Sequence, residues 1–329
     1  MQQRTIGAFS VPAIGLGCMN LNHAYGNAPD EASAIALLRE AFDLGVRHFD
    51  TAALYGFGSN EKLVGKALRE LRPHIHLASK CGMTGVDGKR VIDGRPETLA
   101  QTIEQSLASL QTEHIDLYYL HRWDKNVPIE ESVGALSRMV VQGKIGAIGL
   151  SEVSADTLRK AHAVHPIAAV QTEYSLWTRN AEIAVLEACR EIGAAFVAFS
   201  PLGRGFLSGA VTDAGDLEEK DIRRNMPRFQ EPCFTTNLRL YGEFAALAQH
   251  AGCTPGQLAL CWLLDQGDRI IPIPGTRSVT HLRENVSAGE LRLDRAALEA
   301  AGVLISQETV DGPRYGAATQ VEIDTEEFT

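Results

Sequence analysis

Residues 45–55 read Gly45-Val46-Arg47-His48-Phe49-Asp50-Thr51-Ala52-Ala53-Leu54-Tyr55. The stretch holds one unit of a repeating pattern. Gly45 stops a helical segment, because glycine accepts the left-handed backbone found past a helix C-terminus. Residues 46–49 form a mostly apolar strand. Asp50 ends that strand, and Tyr55 stands on the loop beyond. An acid and a phenol so placed are groups from which proton chemistry can be built.

Working outward, the same unit recurs. Upstream, Ala34, Ile35, Leu37, Leu38, Ala41 and Phe42 have helical spacing over 30–44, with Asp30 as the predicted N-cap. Before them, apolar runs over 4–9 and 11–16, separated by Ser10, predict an N-terminal β-hairpin. Downstream, a helix over 61–71 is closed by Pro73. Strands over 75–80, 115–121, 145–150, 167–171, 194–200 and 269–273 then alternate with helices over 95–110, 128–142, 154–165, 181–192 and 279–288.

Counted from Ile14, this strict α/β alternation predicts a parallel sheet of eight strands with crossover helices, a closed (β/α)8 TIM barrel. A doubly wound sheet would carry a glycine fingerprint after its first strand. Gly15-Leu16-Gly17-Cys18-Met19-Asn20 lacks the third glycine, and Gly203-Arg204-Gly205-Phe206-Leu207-Ser208-Gly209 has the wrong spacing and comes late. Barrels of this kind run past roughly 200 residues as one domain, so residues 1–329 are expected to form a single domain. The rhythm breaks between 200 and 269. There, extra helices are predicted over 238–250 and 255–266, after the seventh strand. The charged segment 213–228 is a candidate lid. Beyond Gly302 the periodicity fades, and the reading leaves open whether the tail covers one side of the site or frays.

The bulk numbers exclude several classes. A net charge of −10, spread without long runs, argues against a nucleic-acid surface and a basic membrane patch. No apolar run approaches the length of a membrane span, and no apolar signal core follows Met1-Gln2-Gln3-Arg4-Thr5. The six cysteines (Cys18, Cys81, Cys189, Cys233, Cys253 and Cys261) form no C-x-x-C pair. Small buried thiols in a reducing, cytoplasmic location are therefore expected, with a redox-sensitive site at Cys18 or Cys81 the lesser reading. His74 and His76 stand at i, i+2, and nothing nearby completes a metal shell, so no metal is expected.

Chemistry in such a barrel gathers at the C-terminal ends of its strands. The second strand ends at Asp50, the third at Lys80, the fourth at His121, the fifth at Ser151-Glu152, the sixth at Gln171 and the seventh at Phe199-Ser200. The eighth leads into Pro274-Gly275-Thr276-Arg277. A single Asp after a strand is usually a turn residue, a single Lys is usually solvated, and a lone His is usually structural. The fold sets their strands side by side, which makes independent bland explanations improbable.

Phe49-Asp50-Thr51-Ala52-Ala53-Leu54-Tyr55-Gly56 resembles the active-site signature of the aldo-keto reductases. Lys80 and Asp116-Leu117-Tyr118-Tyr119-Leu120-His121 are similar to the family's other catalytic segments. Gly143-Lys144-Ile145-Gly146-Ala147-Ile148-Gly149-Leu150-Ser151 and Ile273-Pro274-Gly275-Thr276-Arg277 resemble its cofactor segments, and the similarity spans about residues 4–288. The resemblance implies an NADPH-dependent reductase of aldehydes or ketones. Its catalytic set would be Asp50, Tyr55, Lys80 and His121, with Tyr55 as proton donor.

The resemblance also implies a cofactor set. Ser151, Glu152 and Gln171 would meet the nicotinamide carboxamide, and Phe199 would stack under its ring. Ser200, Leu202, Gly203 and Gly205 would surround the pyrophosphate. Gly275, Thr276 and Arg277 would meet the adenosine 2′-phosphate, and Glu284 and Asn285 the adenine. Glu152 departs from the family's usual asparagine, and His281 stands where some members have arginine. On loops at the barrel top, Met19, Tyr25, Trp123 and Trp177 are the expected substrate-pocket residues, Phe57 and Phe229 weaker ones, and the substrate would be apolar or aromatic. Other readings are a cofactor-binding regulatory protein, like the ion-channel auxiliary subunits of that superfamily, and a ligand-binding barrel without redox chemistry. The oligomeric state is open.

Overall fold

A computed structural model describes residues 1–86 and 89–328. Eight strands pair in parallel and in chain order: Leu16–Gly17, His48–Asp50, His76–Cys81, Ile115–Leu120, Ile145–Ser151, Ile167–Glu173, Ala195–Phe199 and Ile270–Pro272. The Gly15 N–H donates to the Pro272 carbonyl at 3.0 Å and joins the last strand to the first, closing a (β/α)8 barrel. Gly17 permits this seam, since a Cβ there would lie 2.8 Å from the Ile273 carbonyl oxygen.

Side chains alternate across each strand, and this decides which layer each residue joins. Phe49, Leu77, Tyr118 and Leu120 face outward into the large core shared with the helices. Residues of the other parity, among them Ala78, Leu117, Tyr119, Ala169 and Val197, fill the barrel together with Ile6 and Val11. Those two come from the hairpin Gln3–Ile6 and Phe9–Pro12, which plugs the N-terminal end. The Tyr119 ring fits because its neighbour is Gly149, where a Cβ would come within 2.3 Å of the ring. Asp50 pairs in register with Ala78, and Lys80 lies two residues beyond it. Both therefore share the inward parity, at the barrel's upper end.

Helices Glu31–Asp43, Ser59–Leu68, Pro96–Leu110, Ile129–Val141, Ala155–Val164, Val185–Ile192 and Val279–Ser287 surround the strands. Asp30 caps the first by accepting from the Ser33 N–H at 2.9 Å, and Pro96 opens the third, where its missing N–H costs nothing. The extra helices after the seventh strand are Cys233–His250 and Pro255–Asp265, the latter begun by a capping box between Thr254 and Gln257.

Several local expectations change. The N-terminal hairpin turns at Gly7, whose φ of +57° suits a tight turn, and Ser10 lies inside the second strand. His74 falls in the 3-10 segment Arg69–His74, which leaves only His76 on the strand. A second hairpin, Met83–Val86 with Lys89–Ile92, follows the third strand. Segment 213–228 is a series of 3-10 turns, two of them capped by Asp213 and Asp221, while Glu218 accepts from the Asn27 N–H and Arg228 donates to the Gly312 carbonyl, tying the segment to distant parts of the chain. Helix Arg295–Leu304 follows the barrel. The tail then returns across the barrel top, with Asn237 and Asp311 bonded reciprocally and the Asp324 N–H donating to the Glu152 carbonyl. Among the described residues no helix is long and apolar enough to cross a membrane.

Candidate active site

The barrel's inward parity delivers Asp50, Lys80 and Gln171 to one point. The buried Lys80 ammonium donates to an Asp50 carboxylate oxygen, to the Thr51 carbonyl at 2.8 Å and to the Tyr55 hydroxyl at 3.2 Å. An ammonium has three protons, and all are used. The second Asp50 oxygen accepts from Gln171 Nε2 at 2.7 Å. Burial alone would drive the Lys80 pKa down. The charge of Asp50, then that of Tyr55, outweighs it, and the ammonium titrates above its ordinary value.

Tyr55 sits where the loop after the second strand turns back over the barrel, its N–H bonded to the Ala52 carbonyl at 3.0 Å. Burial raises its pKa; Lys80 pulls it down, Asp50 pushes it up, and the net shift is upward. The phenol therefore keeps its proton at neutral pH while touching a cation that stabilises the phenolate. His121 stands edge-on to Tyr55, ring centroids 5.7 Å apart, and His23 stacks on the other side at 5.8 Å. Burial, then Arg122, Lys80, Arg90 and His23, push the His121 pKa well down, which keeps the ring neutral. Its Nδ1 is buried without a partner. An unpaired buried N–H is costlier than an unpaired lone pair, so the Nε2–H tautomer is favoured and the other ring nitrogen carries the donor.

Asp50, Tyr55 and His121 line the inner end of a cavity of about 1000 Å³. From there the cavity runs past Ser151, Gln171, Phe199, Ser200, Leu202 and Gly205 to Gly275, Thr276, Arg277, Glu284 and Asn285. Asn20 Oδ1 is a buried acceptor in its wall with no protein partner. Arg277 donates to the Asn27 carbonyl and forms no ion pair among the described residues. An elongated cleft with a stranded acceptor, an unpaired guanidinium at one end and a proton donor at the other fits an extended anionic dinucleotide.

The Aldo/keto reductase family pattern matches residues 13–301. The chain is 43% identical over 331 residues to "Aldo-keto reductase yakc [NADP(+)]" of Schizosaccharomyces pombe, covering 98% of this chain and 97% of that protein. It is 43% identical to "Probable aldo-keto reductase 1" of Glycine max, covering 93% of this chain and 89% of that one. The solved glycerol dehydrogenase AKR11B4 from Gluconobacter oxydans superposes with a TM-score of 0.85 at 30% identity, over 94% of this chain and 97% of that one. Holo AKR11C1 from Bacillus halodurans superposes at 0.74 and 26% identity, over 96% and 99%. The chain belongs to the aldo/keto reductase family.

This aldo/keto reductase, an oxidoreductase by family, does not bring every expected residue to the cavity. Glu152 is buried and turned away from it: its carboxylate accepts from Arg314 Nη2 at 2.6 and 2.7 Å and from the Glu173 N–H at 3.0 Å. The departure from asparagine thus has a partner, a buried arginine of the tail. Gly203 packs under Trp177, and Trp177 itself is buried in a stack on Phe206 at 4.0 Å. Trp123 donates to the Val127 carbonyl and packs against the outer core. Met19 and Tyr25 do line the cavity, whereas Phe57 and Phe229 are absent from its wall. Cys18 and Cys81 are buried, and burial raises both thiol pKa values, leaving no reactive thiolate there.

The structure adds residues that the strand-end reading overlooked. His23, Arg90, Arg122 and Arg204 line the cavity, as do Tyr315 and residues 316–319 of the tail. Arg122 directly follows His121 and could have been suspected from that position. Tyr315 and its neighbours have no periodicity to announce them. Their placement depends on Arg314, which reaches Glu152 and Glu173, and on Arg204, which donates to Glu173 at 2.6 Å and to Tyr315 at 3.0 Å.

Proposed function

We propose that this aldo/keto reductase is an NADPH-dependent carbonyl reductase that converts aldehydes or ketones to alcohols. The observation that carries the reading is Lys80, which donates to both Asp50 and Tyr55 beside a neutral His121 at the inner end of the cleft. NADPH, when bound, supplies the hydride that reaches the carbonyl carbon. The chain's own groups manage the oxygen. Tyr55 O–H and His121 Nε2–H donate to it and stabilise the negative charge that develops there. The Tyr55 proton then passes to that oxygen, and the phenolate left behind is stabilised by Lys80. Asp50 holds Lys80 charged, and Gln171 fixes the other oxygen of Asp50.

Ser151, Gln171 and Phe199 would hold the nicotinamide end. Ser200, Leu202 and Gly205 would lie along the pyrophosphate, with Gly275, Thr276, Arg277, Glu284 and Asn285 around the adenosine. Met19 and Tyr25 would border the substrate. The unpaired Arg277 supports NADPH over NADH, since a guanidinium suits a 2′-phosphate. The NADP(+) in the name of the fission-yeast relative points the same way. Six free cysteines support a cytoplasmic location.

The test is NADPH oxidation against a panel of aldehydes, ketones and dicarbonyls, with Tyr55→Phe beside the parent. Tyr55→Phe is expected to lose about 100-fold or more in kcat, the range for general acid catalysis. A parent that oxidises no NADPH with any member, or a Tyr55→Phe variant of full activity, sinks the proposal.

A further inference from the structure

The cavity of this acidic chain, net charge −10, is lined by Arg90, Arg122, Arg204, Arg223 and Arg277. Three of these are neutralised in ion pairs: Arg90 with Glu322, Arg204 with Glu173 and Arg223 with Asp221. Arg277, exposed at the far end, is the proposed contact for the adenosine phosphate. Arg122 has no carboxylate within ion-pair distance among the described residues, and it lies at the reactive end, next to His121. The carboxylates in the cavity wall are Asp50 and Glu284. Both oxygens of Asp50 are taken by Lys80 and Gln171, and Glu284 accepts from Thr254 Oγ1.

Arg122 is held in place without being satisfied. Its Nη1 donates to the His121 carbonyl at 2.7 Å and to Ser151 Oγ at 3.2 Å. Its Nε is buried with no acceptor, and among the described residues no acceptor meets Nη2, which is not buried. Nη2 is the donor this half-buried cation leaves open to a ligand in the cavity, and a carboxylate is an anion that a guanidinium binds well. The cation already acts on the site: after burial, it leads the charges that depress the His121 pKa.

We infer that this reductase selects carbonyl substrates bearing a carboxylate, which Arg122 holds while Tyr55 and His121 engage the carbonyl. The inference rests on the carbonyl-reductase reading and deepens it. Arg122 acts as a specificity residue. An uncharged aldehyde would leave its fork empty and gain nothing from it.

The test compares 3-carboxybenzaldehyde with 3-methylbenzaldehyde in the NADPH-loaded enzyme, for the parent, Arg122→Gln and Arg122→Lys. The parent is expected to favour the carboxylate in kcat/KM. Arg122→Gln should raise KM for 3-carboxybenzaldehyde about 10- to 100-fold, the loss of a charged hydrogen-bonded contact, and move the methyl analogue far less. Arg122→Lys should restore part of the difference. Calorimetric titration of the enzyme with 3-carboxybenzyl alcohol gives a readout independent of turnover, and Arg122→Gln should weaken that binding by a similar factor. Equal preference in the parent overturns the inference. So does an Arg122→Gln variant that loses equally with both aldehydes and binds NADPH more weakly, because Arg122 would then serve the cofactor. If the parent reduces neither aldehyde, the wider carbonyl panel decides the reductase reading, and the calorimetric comparison decides by itself whether Arg122 binds a carboxylate.

Discussion

Lys80 has three ammonium protons and three acceptors, and none of the acceptors is water. Removing this cation leaves Asp50 as an uncompensated buried charge, which typically costs about 3–5 kcal/mol. Lys80→Met is therefore expected to lower Tm sharply as well as activity, and adding Asp50→Asn to it should recover most of the Tm while activity stays low. Thermal melts and NADPH oxidation on the two variants separate the roles. The pH profile has a sign too. Burial raises the Tyr55 pKa, so the proton donor persists through neutral pH and is lost only as pH climbs past the phenol's ordinary value of 10. Reduction should then be flat around neutrality and fall in strong alkali. In Lys80→Met, with the downward pull of the ammonium gone, the residual activity should fall at still higher pH. Gly149 tests the barrel interior at the same scale. A methyl group 2.3 Å from the Tyr119 ring forces a shift, and Gly149→Ala is expected to destabilise by about 1–3 kcal/mol in a denaturant melt.

The tail is an element that its own sequence cannot explain. Residues 305–328 bury little apolar surface, with Ile305 and Ile323 among the few fully buried apolar side chains. What holds them down is polar: a buried ionic set of Arg314 between Glu152 and Glu173, with Arg204 completing it and Tyr315 accepting from both arginines, and hydrogen bonds farther along from Ser154 to Asp324 and from Ala155 to Glu326. Arg90–Glu322 adds a partly exposed pair, worth at most about 1 kcal/mol. The buried latch should dominate. Arg314→Met is expected to release the tail, and limited proteolysis should then cut within residues 305–328 while the barrel persists. A tail as resistant in Arg314→Met as in the parent would show that the latch is dispensable. Since residues 315–319 line the cavity, release should also raise KM for the carbonyl substrate.

At the scale of the molecule, buried titratable groups set the acid limit. Glu173 is pulled from its ordinary 4.5 to about 2 by Arg204, Arg314 and Arg228, which together overcome burial. A carboxylate with a depressed folded pKa gives stability that is complete above about 4.5 and lost as pH falls towards 2. His48, His76 and His121 are also depressed, chiefly by burial, so the unfolded chain binds more protons than the folded one below about 6.5. Glu61 works the other way, since burial raises its pKa, but three histidines outnumber it. Tm is expected to fall from pH 7 to pH 5 and further towards pH 3. We propose, in addition, that residues 1–329 unfold as one unit. A single calorimetric transition is the expected result, because the closed sheet leaves no boundary along which part of the barrel could melt alone.

Much of this protein was legible from local pattern. Strand and helix periodicities depend on neighbours a few residues apart, and they predict eight barrel strands, with polar ends on the second to the seventh. Asp50, Lys80 and His121 stood out because a parallel barrel must set successive strand ends side by side, and the resemblance to the aldo-keto reductases joined Tyr55 to them as one expected set. The rest depended on contacts between residues far apart in the chain, for which no periodicity exists. Glu152 read as a cofactor contact until Arg314, distant in sequence, proved to be its partner. Trp123 and Trp177 sit on the predicted loops, but the direction of a side chain on an irregular loop is set by tertiary packing, and here it is away from the cavity. The unspent charge of Arg122 is likewise a property of the folded site alone, since only the closed barrel decides which carboxylates come near it.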